Sequence, residues 1–549
     1  MNLRENNLQK MRQQEFDVLI LGGGINGAVS ASALATRGAS VALIEKGDFA
    51  CGTSQESSNL VWGGIKYLET REFALVRKLC TCRNDLLRAY PSSVKEVRFF
   101  TTIERGFRFN RFILWLGTLL YWMIGSFFTV MPRLLSRADI NAGEPAVETD
   151  QAAGGFEYSD AYLPDNDARF VFNFIRDALD HGGIVANYVA YESSRREGDR
   201  WLTRARDVKT GEEFTIRSKV VINACGPWVD EVNGIGGMRT RHRHVFSRGI
   251  HLVVGRITHS GRVLTFFADD GRLFFIIPMG PRSCIGTTDT RVEKLPAEVT
   301  PEDRRFVLDN INKRLRLDRP LEESDIIAER CGVRPLVVEG RSSGESSDWT
   351  ALSRKHVIEP DHGQHWLSVF GGKLTDCLNV GDEVCDLVRH WGIEMPWYQR
   401  HWFGEPVADV REIFMHQARS IRLDDMTSPD SSEPLSQRLW RRYEASALHL
   451  LELIRQDPAM AEVLIGGAEY IRCELVHAAR REMIVDLEDF LRRRSKIALI
   501  ADRETLRGAP GLMEACHILF GSDAEKKFAE YFDGASPAAT TGQQHGGGR

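Results

Sequence analysis

None of the ten cysteines in this 549-residue chain stands in a C-x-x-C pair, and Cys80-Thr81-Cys82 has no partner cluster. That weakens zinc-module and disulfide-scaffold readings, and no metal site is expected. The thiols read as reduced, small, core-filling side chains. Neither charge dominates: 71 Lys and Arg against 76 Asp and Glu leave −5, so no basic field suited to nucleic acid exists. No apolar stretch opens the chain. Met1-Asn2-Leu3-Arg4-Glu5-Asn6-Asn7 carries an acid and amides where a secretory signal needs hydrocarbon, and it is not the basic, acid-free helix of a transit peptide. A cytoplasmic start is predicted. There is also no internal repeat. What remains, 43% hydrophobic and 27% charged residues, is globular composition, and the length predicts two or three domains.

The first informative stretch is Phe16–Leu21, a nearly unbroken apolar run of the kind found in a parallel strand covered on both faces. It leads into Gly22-Gly23-Gly24-Ile25-Asn26-Gly27, then a small-residue helical stretch to Arg37, and a second strand Ser40–Ile44 ending in Glu45. This is G-x-G-x-x-G with strand before, helix after and an acid downstream, the pattern of a dinucleotide site. Gly22 permits the tight turn, Gly24 lets main chain approach a pyrophosphate, and Gly27 lets helix and strand pack closely. The helix start offers free N–H groups and a positive dipole end to phosphate. Glu45 accepts from ribose hydroxyls and repels a 2′-phosphate, which favours FAD or NAD over NADP.

Later segments favour FAD. A hydroxyl-rich loop, Gly52-Thr53-Ser54-Gln55-Glu56-Ser57-Ser58, is followed by Trp62-Gly63-Gly64-Ile65-Lys66-Tyr67. Far downstream come Val220–Asn223 with Ala224-Cys225-Gly226-Pro227-Trp228, and Leu367–Phe370 with Gly371-Gly372-Lys373-Leu374-Thr375. A Gly-Gly pair before a helix start is a second main-chain cradle, suited to the electron-rich edge of a flavin. An NAD domain needs no such late element.

Taken with Gly155–Asp160, Asp167-Ala168-Arg169, Arg248–His251, Gly286–Asp289, Cys331–Leu336 and the run Glu474…Glu482…Asp486–Arg494, these stretches resemble the FAD-dependent glycerol-3-phosphate dehydrogenase family, within the D-amino-acid-oxidase-like flavoproteins. The resemblance covers about residues 16–496. It implies an α/β fold: a Rossmann-like, doubly wound FAD-binding domain over 16–88, 155–228 and 348–391, and a discontinuous antiparallel-sheet substrate domain over 89–154 and 229–347. A C-terminal helical domain is expected over 396–533, with Leu475–Leu491 reading as helical and a disordered tail over 534–549.

The implied reaction passes a hydride from C2 of sn-glycerol 3-phosphate to FAD, giving dihydroxyacetone phosphate, with electrons going on to a quinone. Implied FAD-binding residues are Gly22, Gly24, Asn26, Gly27, Glu45, Thr53, Ser54, Gly63, Gly64, Val189, Ala224, Gly226, Trp228, Gly372, Lys373, Leu374 and Thr375. Catalysis is implied for His251, Arg334 and Lys373, and substrate binding for Lys66, Tyr67 and Arg334. On residue chemistry alone each has a second reading. His251 is a base or a satisfied core histidine. Arg334 is an anion-gripping fork or a structural ion pair. Tyr67 is a donor or a pocket wall, and Lys373 is a site cation or a solvated helix-start lysine. The basic run Arg239–His244 reads as a solvated loop.

Two departures bear on substrate. The family usually has His-Gly-Gly-Leu-Arg-Tyr where this chain has Trp62 to Tyr67, and Thr-Tyr-Arg where this chain has Asp376-Cys377-Leu378. A carboxylate at 376 beside a phosphate pocket would repel the dianion or take a cation meant for it. A specialised flavin enzyme acting on another alcohol or an amine, including a carrier-bound metabolite, is therefore the alternative.

Phe112–Met131 holds no charge, about the 20 residues that cross a bilayer. A single span would separate the two glycine turns that build one flavin site. The segment therefore reads as a buried helix or as one lying in the membrane interface, with Thr118, Tyr121, Gly125 and Thr129 toward protein and Phe, Leu and Trp toward lipid. Arg105, Arg108, Arg111, Arg133 and Arg137 flank it for anionic headgroups. With the family's peripheral habit, this implies a cytoplasmic protein on the inner face of the cytoplasmic membrane. A homodimer is compatible with the resemblance.

Overall fold

Phe16 and Val18–Leu21 are almost wholly buried, and a strand with no polar face needs a covering layer on both sides. In the computed structural model, which describes residues 2–340, 355–429 and 431–534, Glu15–Leu21 accordingly lies inside a sheet. The strand order is Val357–Asp361, Trp366–Phe370, Glu213–Asn223, Glu15–Leu21, Val41–Ile44, Ile184–Ala186. All neighbours from Trp366–Phe370 to Ile184–Ala186 run parallel. Arg200–Asp207 pairs antiparallel with Glu213–Asn223 and carries Val189–Glu197. Glu15–Leu21 has the next strand in sequence on one side and a much later one on the other. A crevice therefore opens at its carboxyl end, the topological switch point of a doubly wound sheet. The helix Ile25–Thr36 starts there. Residues 348–354 of the expected FAD-binding segment, and 535–549 of the expected tail, lie outside the described residues.

A second sheet runs Thr290–Val292, His242–Gly255, Arg282–Gly286, Leu273–Met279, Val263–Phe267, Lys95–Glu104, Ala152–Tyr162, Leu60–Val61. Its pairings on this path are antiparallel except Val263–Phe267 with Lys95–Glu104. Ala152–Tyr162 is one strand of this sheet, although a boundary at residue 155 would divide it. The long pairing of His242–Gly255 with Ala328–Glu339 sets His251 opposite Arg330, Gly249 opposite Gly332 and Ser247 opposite Arg334. With a period of two, these residues share one face. The two glycines leave that face open: a Cβ on Gly249 would sit 2.1 Å from Arg334 Nη2, and one on Gly332 would sit 2.9 Å from the Glu56 carbonyl oxygen. Of the basic run that read as a solvated loop, residues 239–241 do form a loop with both arginines exposed, whereas residues 242–244 begin this strand, with half-buried His242, exposed Arg243 and buried His244.

The uncharged segment makes a helix only over Arg111–Ile124, about 21 Å at 1.5 Å per residue. No helix among the described residues is long and apolar enough to cross a membrane. Thr118, Tyr121 and Thr129 are buried, while Phe112, Ile113, Leu116, Leu120, Met123, Phe127, Phe128, Val130 and Met131 are exposed. Tyr121 fastens the inner face. Its hydroxyl donates to Asp160 Oδ2 at 2.7 Å, and Asp160 Oδ1 accepts from Arg83 Nη1 at 3.0 Å and from the Gly63 amide at 3.1 Å.

A separate compact unit takes the described residues from Pro406 onward together with Lys294–Glu298. As described, it is helical, with buried Phe414, Leu439, Trp440 and Leu450 in one cluster and Leu475, Phe490, Leu491 and Leu519 in another. Leu475–Leu491 is not one helix. Arg472–Arg481 ends at Glu482, and Met483 takes φ +51°, a left-handed conformation that no continuing helix contains. Arg492, Arg493 and Arg494 are buried rather than set at an exposed helix end.

Candidate functional site

At the carboxyl ends of the two central parallel strands, both glycine turns and the open face of the second sheet enclose a cavity of about 470 Å³, well within the range of small-molecule and cofactor sites. Gly22, Gly24, Asn26, Glu45, Thr53, Ser54, Val189, Ala224, Gly226, Trp228, Gly372, Lys373, Leu374, Thr375, His251 and Arg334 all line it. Gly27, Gly63, Gly64, Lys66 and Tyr67 do not.

The first turn is built from main chain. Gly22 has φ +101°, and a Cβ there would lie 2.7 Å from the Ala224 carbonyl oxygen. A Cβ on Gly27 would lie 1.9 Å from the Gly22 carbonyl oxygen, so this glycine lets the helix close on the strand. Glu45 accepts from the Gly23 amide at 2.7 Å and the Gly47 amide at 2.9 Å. Burial raises its pKa, and those two amides offset part of the rise. Ser54 Oγ accepts from the Ile25 amide at 3.0 Å, and Thr53 Oγ1 donates to the Val333 carbonyl at 2.7 Å. The hydroxyl-rich loop thus bridges the helix start and the second sheet. Arg330 and Asp167 pair beneath it, both fully buried, with Ser57 and the Gln55 carbonyl as further partners. No spacing in the sequence marked that pair.

The second turn is tied to the first. Asn26 Nδ2 donates to the Gly371 carbonyl at 3.0 Å, while the buried Asn26 Oδ1 has no hydrogen-bond partner. Thr375 Oγ1 donates to the Trp62 carbonyl at 3.2 Å. The Trp62 indole, whose N–H is 3.2 Å from the Tyr158 hydroxyl, is itself part of the lining. Lys373 Nζ stands 4.2 Å from the Tyr67 ring centroid, so Tyr67 backs the cavity's lysine from outside the wall. Lys66 is exposed on the short helical turn Ile65–Leu68, which carries its ammonium away from the cavity.

His251 and Arg334 face the same space from neighbouring strands. His251 is 3% exposed, and neither ring nitrogen has a hydrogen-bond partner. Burial, then the charges of Arg330 and Arg334, hold its pKa well below 6.5, so the ring is neutral at physiological pH. Arg334 Nη1 donates to Asp289 Oδ1 at 3.1 Å and Nη2 to Thr287 Oγ1 at 3.1 Å. The side chain is 25% exposed, so the cavity arginine and the ion-paired arginine are the same residue.

Asp376 is not beside the cavity. Its carboxylate accepts from Asn379 Nδ2 at 2.7 Å and lies 2.5 Å from His356 Nδ1, and His356 Nε2 reaches Glu383 at 3.0 Å. Lys78 closes the far end on Glu383 at 2.7 Å. Burial lowers the His356 pKa, but the bonds to Asp376 and Glu383 outweigh it and hold the value above the ordinary one. The Asp376 carboxylate is thus engaged by buried His356, in a network that reaches the surface at Glu383 and Lys78.

The donor set fits FAD: main-chain cradles at Gly22–Gly24 and Gly371–Gly372, an acid at Glu45, and orphaned buried acceptors on Asn26 and His251. Residues 17–374 match the family described as FAD dependent oxidoreductase, and residues 412–527 match the C-terminal domain of alpha-glycerophosphate oxidase. "Glycerol-3-phosphate dehydrogenase 2" of Mycobacterium bovis is 29% identical over 536 residues, covering 95% of this chain and 88% of the relative. "Aerobic glycerol-3-phosphate dehydrogenase" of Staphylococcus aureus is 29% identical over 510 residues, covering 90% and 88%. In fold, the chain is similar to the glycerol-3-phosphate dehydrogenase from Bacillus halodurans complexed with FAD, with TM-score 0.71 and 23% identity over 97% of this chain and 94% of that one. The chain belongs to the FAD dependent oxidoreductase family, and FAD is its cofactor.

Proposed function

We propose that the protein oxidises sn-glycerol 3-phosphate to dihydroxyacetone phosphate and that the electrons leave for a quinone. The observation that carries this reading is His251, a buried neutral imidazole with no hydrogen-bond partner on either nitrogen, in one cavity with Arg334. When bound, FAD supplies the two-electron acceptor for the hydride leaving C2. His251 takes the proton of the C2 hydroxyl, a task for which an uncharged ring is needed. Arg334, held by Asp289 and Thr287, gives the phosphate a planar fork, and Lys373 adds a second cation from the opposite turn. Trp62 and Phe275, with Tyr191 and Trp228, supply the aromatic lining that excludes water. The FAD contacts are assigned to the lining residues of both turns together with Thr53, Ser54, Val189, Ala224, Gly226 and Trp228. The names of the relatives support the substrate class.

A second reading, oxidation of a different alcohol or an amine, is favoured by Trp62, which presents an aromatic wall where the resembling family usually has a histidine, and by Lys66 standing outside the cavity. Anaerobic addition of glycerol 3-phosphate to the FAD-loaded protein separates the two. Loss of the yellow absorption supports the first, and bleaching only by another alcohol or amine supports the second.

The same proposal sets the protein against the inner face of the cytoplasmic membrane. What supports it is the exposed apolar side of Arg111–Ile124 and its following loop, flanked by arginines, in the arrangement of a helix lying in an interface.

A further inference from the structure

We infer that His244 is a positioning residue for the flavin site, because its imidazole holds the peptide from which the second glycine turn springs. His244 lies outside the cavity lining and in a run of alternating basic residues, so neither the cavity nor the motif draws attention to it.

Its Nε2 accepts the Gly371 amide N–H at 3.0 Å. The ring is completely buried and packs edge-on against Phe370, with centroids 5.1 Å apart. Accepting at Nε2 puts the ring proton on Nδ1. Nδ1 itself makes no hydrogen bond, but that side faces the charge of Asp230, whose Oδ2 lies 3.6 Å away and accepts the His244 main-chain N–H at 2.9 Å. The carboxylate thus favours the tautomer that the Gly371 contact requires. Burial pushes the His244 pKa down to about 4, in keeping with a ring that must stay neutral to accept.

The held peptide is the pivot of the turn. Gly371 has φ +63° and Gly372 φ +96°, and a Cβ on Gly371 would lie 2.7 Å from Val337 Cγ2. Its carbonyl is taken by Asn26, so both polar groups of this residue end on side chains from distant parts of the chain. Remove the acceptor, and a main-chain donor beside the cavity is left unpaired. The turn then has a reason to rotate, and Gly372 and Lys373, both in the lining, rotate with it.

The test uses the full chain loaded with FAD and two substitutions. His244→Leu keeps bulk and loses the acceptor, whereas His244→Gln puts an amide oxygen near the former Nε2. FAD dissociation constants are measured by recovery of free-flavin fluorescence, and the bound flavin's absorption spectrum and midpoint potential are recorded alongside. The leucine variant should bind FAD about tenfold more weakly, within the range for an unpaired buried donor, and shift the spectrum and potential. The glutamine variant should stay within about threefold of the parent, since it keeps the acceptor. Parental affinity and spectrum in the leucine variant, or equal losses in both, would overturn the inference. A measurement on the unsubstituted protein stands apart from folding of the variants: ¹⁵N spectra of labelled histidine should contain a buried Nδ1–H ring, and an Nε2–H ring at His244 refutes the assignment.

Discussion

The two glycine turns that meet in the cavity hold their shapes by different means. Gly22–Gly27 is braced by close main-chain packing, Gly27 on the Gly22 carbonyl and Gly22 on the Ala224 carbonyl, and by two side chains near in sequence, Glu45 on the Gly23 amide and Ser54 on the Ile25 amide. Gly371–Gly372 is braced by side chains, with His244 and Asn26 lying 127 and 345 residues away in sequence. The first turn is complete once a strand, a helix, a neighbouring strand end and the side chains of Glu45 and Ser54 have met. The second exists only after the strand His242–Gly255 and the helix Ile25–Thr36 have both reached it. The cavity therefore joins a rigid half, fixed by close main-chain packing, to a half hung on two distant side chains.

The largest effect should come from the rigid half. Gly27→Ala sets a methyl group 1.9 Å from a carbonyl oxygen, too close for any small adjustment, and should leave folded protein that purifies colourless, with FAD affinity reduced more than about 100-fold. Retained flavin would show that the turn yields.

Acidity should act on the second half through His244. The unfolded state takes up a proton near pH 6.5 that His244 in the folded state accepts only at about pH 4. Stability from this group is therefore intact above 6.5 and lost as pH falls toward 4, by at most about 3 kcal/mol at ~1.36 kcal/mol per unit. His251, also held well below 6.5, acts in the same direction. His356, raised by its two carboxylates, acts only on the alkaline side. FAD release followed from pH 7 to pH 4 should therefore rise steeply. A flat profile, or one that His244→Gln leaves unchanged, breaks the distinction.

Arg334→Ala should raise the substrate KM by roughly 10- to 100-fold, the range for a charge-assisted pair. Because Arg334 comes from the second sheet and braces neither turn, bound FAD should be unaffected, and loss of flavin in that variant would count against the division. Smallest of all, Thr375→Val removes one bond to the Trp62 carbonyl and should weaken FAD only a few-fold, as a single neutral hydrogen bond does.

This division also explains what could be read from residues alone. The first turn is legible because its causes lie in consecutive residues: apolar strand, three glycines, small-residue helix, acid. The late Gly-Gly pair is legible as a cradle, but not what holds it. His244 sits among Arg239, Arg241 and Arg243, and net charge suggests solvent, whereas alternation at period two was the available signal for a strand with one buried face. As a departure from the family's Thr-Tyr-Arg continuation, Asp376 reads as a carboxylate beside a phosphate pocket, yet one turn of helix carries it to His356, just before the edge strand Val357–Asp361. Lys66 reads as a substrate cation because it stands where the family has an arginine, but the short helical turn Ile65–Leu68 leaves it exposed and outside the cavity lining. In the apolar segment, the inward positions Thr118, Tyr121 and Thr129 were readable from helical spacing. The end of the helix at Ile124 was not, because Gly125 and the left-handed Ser126 and Phe127 interrupt a run that hydropathy alone continues.

The Asp160 carboxylate has a mechanical consequence. It is shared by Tyr121 on the apolar helix, Arg83, and the amide of Gly63, which directly follows Trp62. All of these groups are buried, so water cannot take over a broken bond without cost. A displacement of that helix would therefore reach, through Asp160 and the Gly63 amide, the peptide next to the indole that lines the cavity.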